Sequence, residues 1–192
     1  REKIPTKIGK SCDISKLAFV ADNNVIIGDN VIIEEFVSIK ENTVIGDNCV
    51  IRTGSVIGST GYEFKRNFDG NKVEHIGGVK IGNNVEIQHN TCVDKAIYPW
   101  DDTLISDYCN VDNLVHIAHG VKLGKLSYVV AGAKIGGRCN IGENVWIGLG
   151  AIIRNGLTIG SNSRVNMGAV VTKSVADGEA VSGNFAIEHS QF

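Results

Sequence analysis

The sequence predicts an all-β chain, a parallel β-helix of hexapeptide repeats with an inserted loop. Three observations predict it: aliphatic residues recur every six positions, glycine or another small residue often follows them, and a period of six matches no α-helix. From Ile27 the beat runs through Ile33, Ile39, Ile45, Ile51 and Ile57. From Ile105 it is unbroken through Val111, Ile117, Leu123, Val129, Ile135, Ile141, Ile147, Ile153, Ile159, Val165 and Val171. Such spacing suits short strands that each send one aliphatic side chain inward, joined by tight turns of the kind glycine and asparagine make. Three strands close a triangular coil of about eighteen residues, and stacked coils form a solenoid.

Along the chain, Ile8, Ile14 and Val20 make a short opening run before the first long one. Between Ile57 and Ile81 the beat is lost, and the stretch GYEFKRNFDGNKVEHIGG (61–78) carries Tyr62, Phe64, Phe68 and several charges. This reads as an external loop over about 59–78, and a long loop in a compact solenoid tends to carry function. Ile81, Ile87 and Val93 restore the beat, and KAIYPWDDT (95–103) breaks it again, with Pro99 at an aliphatic place. After Val171 the repeat stops, and residues 174–192 read as a closing tail. Residues 1–192 are thus expected to form one domain.

Composition narrows the function. A net charge of -2 gives no field suited to nucleic acid or an anionic membrane. No run of eighteen apolar residues exists to span a bilayer, and no signal peptide is visible, so a cytoplasmic protein is expected. The five cysteines are odd in number and lack a CxxC pair, which argues against a zinc knuckle or a disulfide scaffold. They read as small structural side chains in a reduced environment. The first residue is Arg1 rather than Met, consistent with a processed product or an excerpt of a longer chain.

Stacked coils bring residues eighteen apart into register, about 4.8 Å apart. On that count His119 lies between Asp101 and Gly137, and Asp112 lies between Asp94 and Val130. Gly137 has no side chain and leaves room beside the imidazole. Histidine is the natural general base near neutral pH, and a carboxylate on its other nitrogen would fix the tautomer. His119 and Asp112 are therefore the candidate dyad, against the plainer reading of a surface histidine on a turn. His116 precedes an inward aliphatic residue and should project outward on a different face from His119. His89 falls at another corner.

The segment VEIQHNTCVDKAIYPWDDTLISDYCNVDNLVHIAHGVKLG (85–124) resembles the UDP-3-O-acylglucosamine N-acyltransferases of lipid A synthesis. The resemblance rests on Asp101-Asp102-Thr103, Asp112-Asn113 and Ile117-Ala118-His119, and covers roughly 60–135. GYEF (61–64) is similar to that family's Gly-Phe-Gly-Phe/Tyr turn, with Glu63 in place of a glycine. The wider hexapeptide-repeat acyltransferase superfamily implies left-handed coils and a homotrimer with sites between neighbouring rods. The resemblance implies His119 as general base, assisted by Asp112, with Tyr62, Phe64 and Asn113 near the substrate. Two departures stand out. The family's second histidine would fall at Gly156, so an oxyanion would need a backbone donor such as the N–H of Gly137. The family's uridine-gripping amino-terminal domain has no counterpart before Ile8.

The carboxy-terminal part is similar to sugar O- and N-acetyltransferases, with Phe185 replacing the proline of their closing segment. Together these imply an acyltransferase that moves an acetyl or other acyl group onto an amine or hydroxyl of a sugar, with a nucleotide-linked sugar expected. The implied donor is acetyl-CoA or another acyl-CoA, with an acyl carrier protein as the alternative. Gly132, Gly150 and Ala151 are small enough to border a donor arm, and Arg154, Arg164 and Lys173 are cations for its phosphates. No metal is expected. A zinc enzyme using His89, His116 and His119 and a non-catalytic binding solenoid are the rival readings.

Overall fold

The computed structural model describes residues 2–63, 71–183 and 185–191. Short strands wind into three parallel sheets of eight, nine and eight strands, each sheet taking every third strand in chain order up to the closing strand Ala180–Val181, which joins the nine-stranded sheet next to Arg164–Val165. In the regular coils the register step is eighteen: Leu123 pairs with Ile141, Val129 with Ile147, and Ile135 with Ile153. The inward positions are the aliphatic residues of the six-residue beat. Ile33, Ile39, Ile45, Ile51, Ile57, Ile87, Ile105, Ile117, Leu123, Ile135, Ile147 and Ile153 are among the largest fully buried side chains. The buried aliphatic residues form one continuous cluster along the axis.

The corners explain the rest of the repeat. Left-handed backbone conformation falls largely on asparagine, as at Asn30, Asn48, Asn84, Asn144 and Asn162, and on glycine, as at Gly54, Gly120, Gly132 and Gly150, residues that tolerate it. The glycine that follows many aliphatic residues has a different cause. A Cβ on Gly46 would sit 2.5 Å from Asn83 Oδ1 and 2.6 Å from the Gly82 carbonyl oxygen of the next coil. Close approach between coils therefore excludes a side chain there. The same corner carries a ladder in which each turn residue accepts a backbone N–H from the coil before it: Asp47 from Asp29, Asn83 from Asp47, and Asp107 from Asn83, at 2.7, 2.8 and 2.9 Å.

The cysteines fit this frame. Cys49, Cys109 and Cys139 are fully buried, and their thiols donate to backbone carbonyls of Gly82, Gly124 and Arg154. Burial pushes the Cys49 and Cys109 thiols up to about 11, which keeps them protonated.

Two coils are longer than the others. Between Thr43–Ile45 and Gly78–Ile81 the step from Ile45 to its partner Ile81 is thirty-six residues, so an eighteen-residue insertion leaves the rod after Val56–Ser59. From Gly78–Ile81 to Asp102–Ile105 the step is twenty-four, because KAIYPWDDT adds six residues. Both insertions depart from the same sheet corner. Replacing Ile135 with alanine is expected to destabilise the chain by about 2–5 kcal/mol, read by denaturant unfolding, because the solenoid cannot collapse around the cavity without losing strand register.

Candidate functional site

The two insertions flank a cavity of about 770 Å³ lined by Tyr62, Glu63, Asp94, His116, Ala118, His119, Gly137, Arg138, Asn155 and Gly156. Regular coils supply one wall. His119, Gly137 and Asn155 follow one another at the same corner, and Gly156 donates its N–H to the Gly137 carbonyl at 2.9 Å. Gly137 lies against the His119 ring: a Cβ there would be 2.5 Å from its Cε1 and Nε2. Only glycine leaves the imidazole in place.

The other wall comes from the irregular coils. The strand Cys92–Asp94 pairs with Val56–Ser59 through a register shift at Asp94, which faces Ser59 rather than Gly58. Gly58 takes φ +82°, a conformation that costs a side-chain-bearing residue, and so makes the bulge. The bulge aims Asp94 at His116, whose Nε2 lies 3.0 Å from Asp94 Oδ2, while Ser59 Oγ donates to Oδ1 at 2.7 Å. Asp94 is 5% exposed. Burial alone would raise its carboxyl, but the hydrogen bonds from His116 and Ser59 and the attraction of His116 outweigh it and hold Asp94 below the usual range. Thr103 ties the two walls together. Its hydroxyl donates to the Asp94 carbonyl at 2.6 Å and accepts the N–H of Gly120, next to His119, at 2.8 Å.

His119 is mostly enclosed, with its side chain 19% exposed. Its Nε2 lies 3.6 Å from Glu63 Oε2, and its buried Nδ1 has no hydrogen-bond partner among the described residues. The fully buried His75, from the first insertion, meets it edge to face at 5.3 Å between ring centres. Burial lowers the His119 pKa below 6.5; Glu63 opposes the shift, while His75 and Arg138 add to it. The imidazole is therefore neutral at pH 7 and able to accept a proton. Tyr98 of the second insertion lies under the Arg138 guanidinium at 5.4 Å, at the cavity rim.

Several sequence expectations are corrected by this geometry. Asp112 is not paired with His119. Its Oδ1 accepts from the Asn113 backbone and side chain, at 2.7 and 2.8 Å, and its Oδ2 accepts from Ala131 N at 3.0 Å. The six-residue insertion places Asp112 two positions past Asn110, which pairs with Glu86, so Asp112 never stacks on Asp94. His116 does not face away from His119: both line the cavity, and His116 holds the Asp94 carboxylate. Asn113 lies at another corner, bound to His89 at 3.0 Å. Ala151 points into the core with no exposure and borders no cleft, whereas Gly132 and Gly150 are open left-handed corners with nothing within 4 Å of an added Cβ. Arg154 and Lys173 are exposed, and Arg164 lies on another sheet face, 5.3 Å over Trp146, so the three cations do not converge. Phe64 lies outside the described residues. Tyr62 lines the cavity. Among the described residues, no three His, Cys, Asp or Glu side chains are grouped to hold a metal ion, and no helix is long and apolar enough to cross a membrane.

Ser59 and His75 were not singled out in the sequence; Asp94 entered only as a stacking neighbour of Asp112, and Thr103 only as part of the Asp101-Asp102-Thr103 motif. The signal for Asp94 was present as a twenty-four-residue offset from Val93 to Ile117, two members of the same beat.

Comparison with known proteins agrees with the fold. A model of bacterial transferase hexapeptide repeats matches residues 24–59 and 138–173. UDP-3-O-acylglucosamine N-acyltransferase 2 of Legionella pneumophila (strain Lens) is 47% identical over 140 residues, covering 72% of this chain and 40% of that protein. UDP-3-O-acylglucosamine N-acyltransferase of Rickettsia akari (strain Hartford) is 50% identical over 90 residues, covering 46% of this chain and 25% of that protein. The chain thus spans less than half the length of these relatives. Among solved structures, the UDP-N-acetylglucosamine acyltransferase from Campylobacter jejuni superposes with a TM-score of 0.83 at 22% identity, covering 93% of this chain and 68% of that one. The Arabidopsis UDP-N-acetylglucosamine acyltransferase gives 0.72 at 21% identity, covering 93% and 67%.

Two measurements check the site. The His119 imidazole is expected to titrate by NMR with a midpoint below 6.5, and Glu63→Gln should lower it further by removing the one neighbour that favours the charged ring most. Asp94 has a folded pKa below 3.8, so its contribution to stability is present above that value and is lost as pH falls through the folded pKa. Asp94→Asn should therefore flatten the acid limb of the stability curve. Residues 24–59 and 138–173 match bacterial transferase hexapeptide repeats, the fold is a left-handed parallel β-helix, and the chain is similar in sequence to the UDP-3-O-acylglucosamine N-acyltransferases.

Proposed function

We propose that this chain forms the catalytic solenoid of a sugar acyltransferase, which moves an acyl group from a thioester to an amine of a nucleotide-linked sugar. The observation that carries the reading is a largely enclosed imidazole in the cavity wall, packed against Gly137 and next to a second histidine on a buried aspartate, with its pKa lowered by burial. In this reading His119 takes the proton of the attacking amine. The nitrogen adds to the thioester carbonyl, the oxyanion is met by a backbone donor such as the Gly137 N–H, and the thiol leaves. His116, held by Asp94, lines the region where the resembled family has its second histidine at Gly156. Asp112 shapes the neighbouring turn instead of orienting the base.

The relatives named as UDP-3-O-acylglucosamine N-acyltransferases support a nucleotide-sugar acceptor and an amine nucleophile. Acetyl-CoA or another acyl-CoA is the proposed donor, with an acyl carrier protein thioester as the second reading, favoured by the lipid A-type central segment. A homotrimer with sites between neighbouring rods and a cytoplasmic setting complete the proposal. The free cysteines, three of them buried, are in keeping with that compartment.

His119→Ala should lower kcat/KM by about 10²–10⁴-fold with the fold retained. In the wild type kcat/KM should rise with pH on a limb whose midpoint lies below 6.5, because the free base must be neutral. Steady-state assays with acetyl-CoA and with acyl carrier protein thioesters read both points. Unchanged turnover in His119→Ala would sink the mechanism.

A further inference from the structure

We propose that Glu63 reads the acceptor of this site: its carboxylate takes the ammonium group of an amino sugar and delivers the nitrogen to His119. This rests on the acyl-transfer reading above and adds a specificity residue to it.

Glu63 enters from the first insertion, where its backbone carbonyl accepts the Val73 N–H at 2.9 Å. Its Oε2 is buried and has no hydrogen-bond partner among the described residues. The nearest basic atom, His119 Nε2, is 3.6 Å away, beyond hydrogen-bond length. The other cavity carboxylate, Asp94, is already satisfied by His116 and Ser59. The rim cation, Arg138, is directed to Tyr98, with Nη2 3.5 Å from its hydroxyl. Glu63 is thus the cavity carboxylate with an open oxygen among the described residues.

A desolvated carboxylate oxygen without a donor is costly, and a cationic donor relieves that cost most. An ammonium has three N–H donors. One can point to Glu63 Oε2 while another points to His119 Nε2, since the two acceptors are 3.6 Å apart. A sugar hydroxyl carries no charge and has a single donor, so it gains less from the same pair.

The step balances as follows. The ammonium gives one proton to His119, which passes it to solvent, leaving a neutral amine. The nitrogen bonds to the thioester carbonyl carbon, His119 takes a second proton from nitrogen, the C–S bond breaks, and the thiolate leaves with that proton. The products are an amide, a thiol and one proton in solution.

The test compares wild type, Glu63→Gln and Glu63→Gly, as full chains, with acetyl-CoA and a UDP-linked amino sugar. The same UDP sugar bearing a hydroxyl in place of the amine is the control. Both variants should raise KM for the amino sugar about tenfold or more, with kcat largely retained and KM for the hydroxyl sugar unchanged. A merely structural role would raise both KM values alike and would overturn the proposal, as would a wild-type KM for the amino sugar in both variants. Calorimetric binding of the amino sugar without donor reads Glu63 independently of turnover. Wild type should bind it about tenfold tighter than its N-acetylated form, and Glu63→Gln should lose that preference. Equal affinities in wild type overturn the role of Glu63 even where acyl transfer stands. A preference lost in Glu63→Gln, with no acyl transfer by wild type, upholds Glu63 and overturns the acyltransferase reading.

Discussion

The separation between one coil and the next, a strand spacing of about 4.8 Å, is the constraint on which the rest of this structure depends. At that distance a side chain at the Gly46 corner would collide with the Gly82 carbonyl, so the repeat carries glycine there. The chain must turn three times per coil, and asparagine bears much of the left-handed backbone this requires. The aspartate and asparagine ladder then satisfies backbone N–H groups that the turns would otherwise leave unpaired. The aliphatic beat, the glycine after it and the polar corner residue are three consequences of one packing distance.

The same constraint decides where function can be built. Regular coils place residues on a lattice, and a lattice alone cannot bring chemically different groups together at one point. The chain departs from it at two places and rejoins it in register each time. The first departure delivers Glu63 and His75, and the second delivers Tyr98 and Thr103 to positions around His119. Where the chain leaves the lattice, the Gly58 bulge turns Asp94 toward His116. The cavity is a product of the irregularities, with the regular coils acting as a rigid wall that holds His119 against Gly137.

That division also explains what the sequence made legible. The fold was readable because a strict period leaves almost no freedom: every sixth residue must be aliphatic and every eighteenth must stack. The position of Gly137 beside His119 was readable for the same reason, since no insertion lies between them. The Asp94–His116 pair was not, because six additional residues around Pro99 shift the count from eighteen to twenty-four. Counting through that interruption aligned Asp112 with Asp94, a stack that the chain does not form. A second register, restarted at Ile105, would have put Val93 under Ile117 and Asp94 beside the histidines. The placement of Glu63 and His75 had no such signal. A loop that leaves the lattice carries no period, so its return path is set by packing alone.

The electrostatics of the cavity follow from this arrangement. A solenoid wall is apolar inside and close-packed, so a histidine sunk into its corner is desolvated and stays neutral near pH 7. Two carboxylates oppose that shift, Glu63 from the first insertion and, more weakly, Asp94 from the rod, and they do so unequally. Asp94 is already engaged by His116 and Ser59, while Glu63 approaches His119 without closing a hydrogen bond. The result is a base kept neutral by burial and, 3.6 Å away, a carboxylate oxygen with no hydrogen-bond partner among the described residues. A closed ion pair would have stabilised the apo chain at the expense of a base that can still accept a proton. The open geometry keeps both groups available to a third, positively charged one.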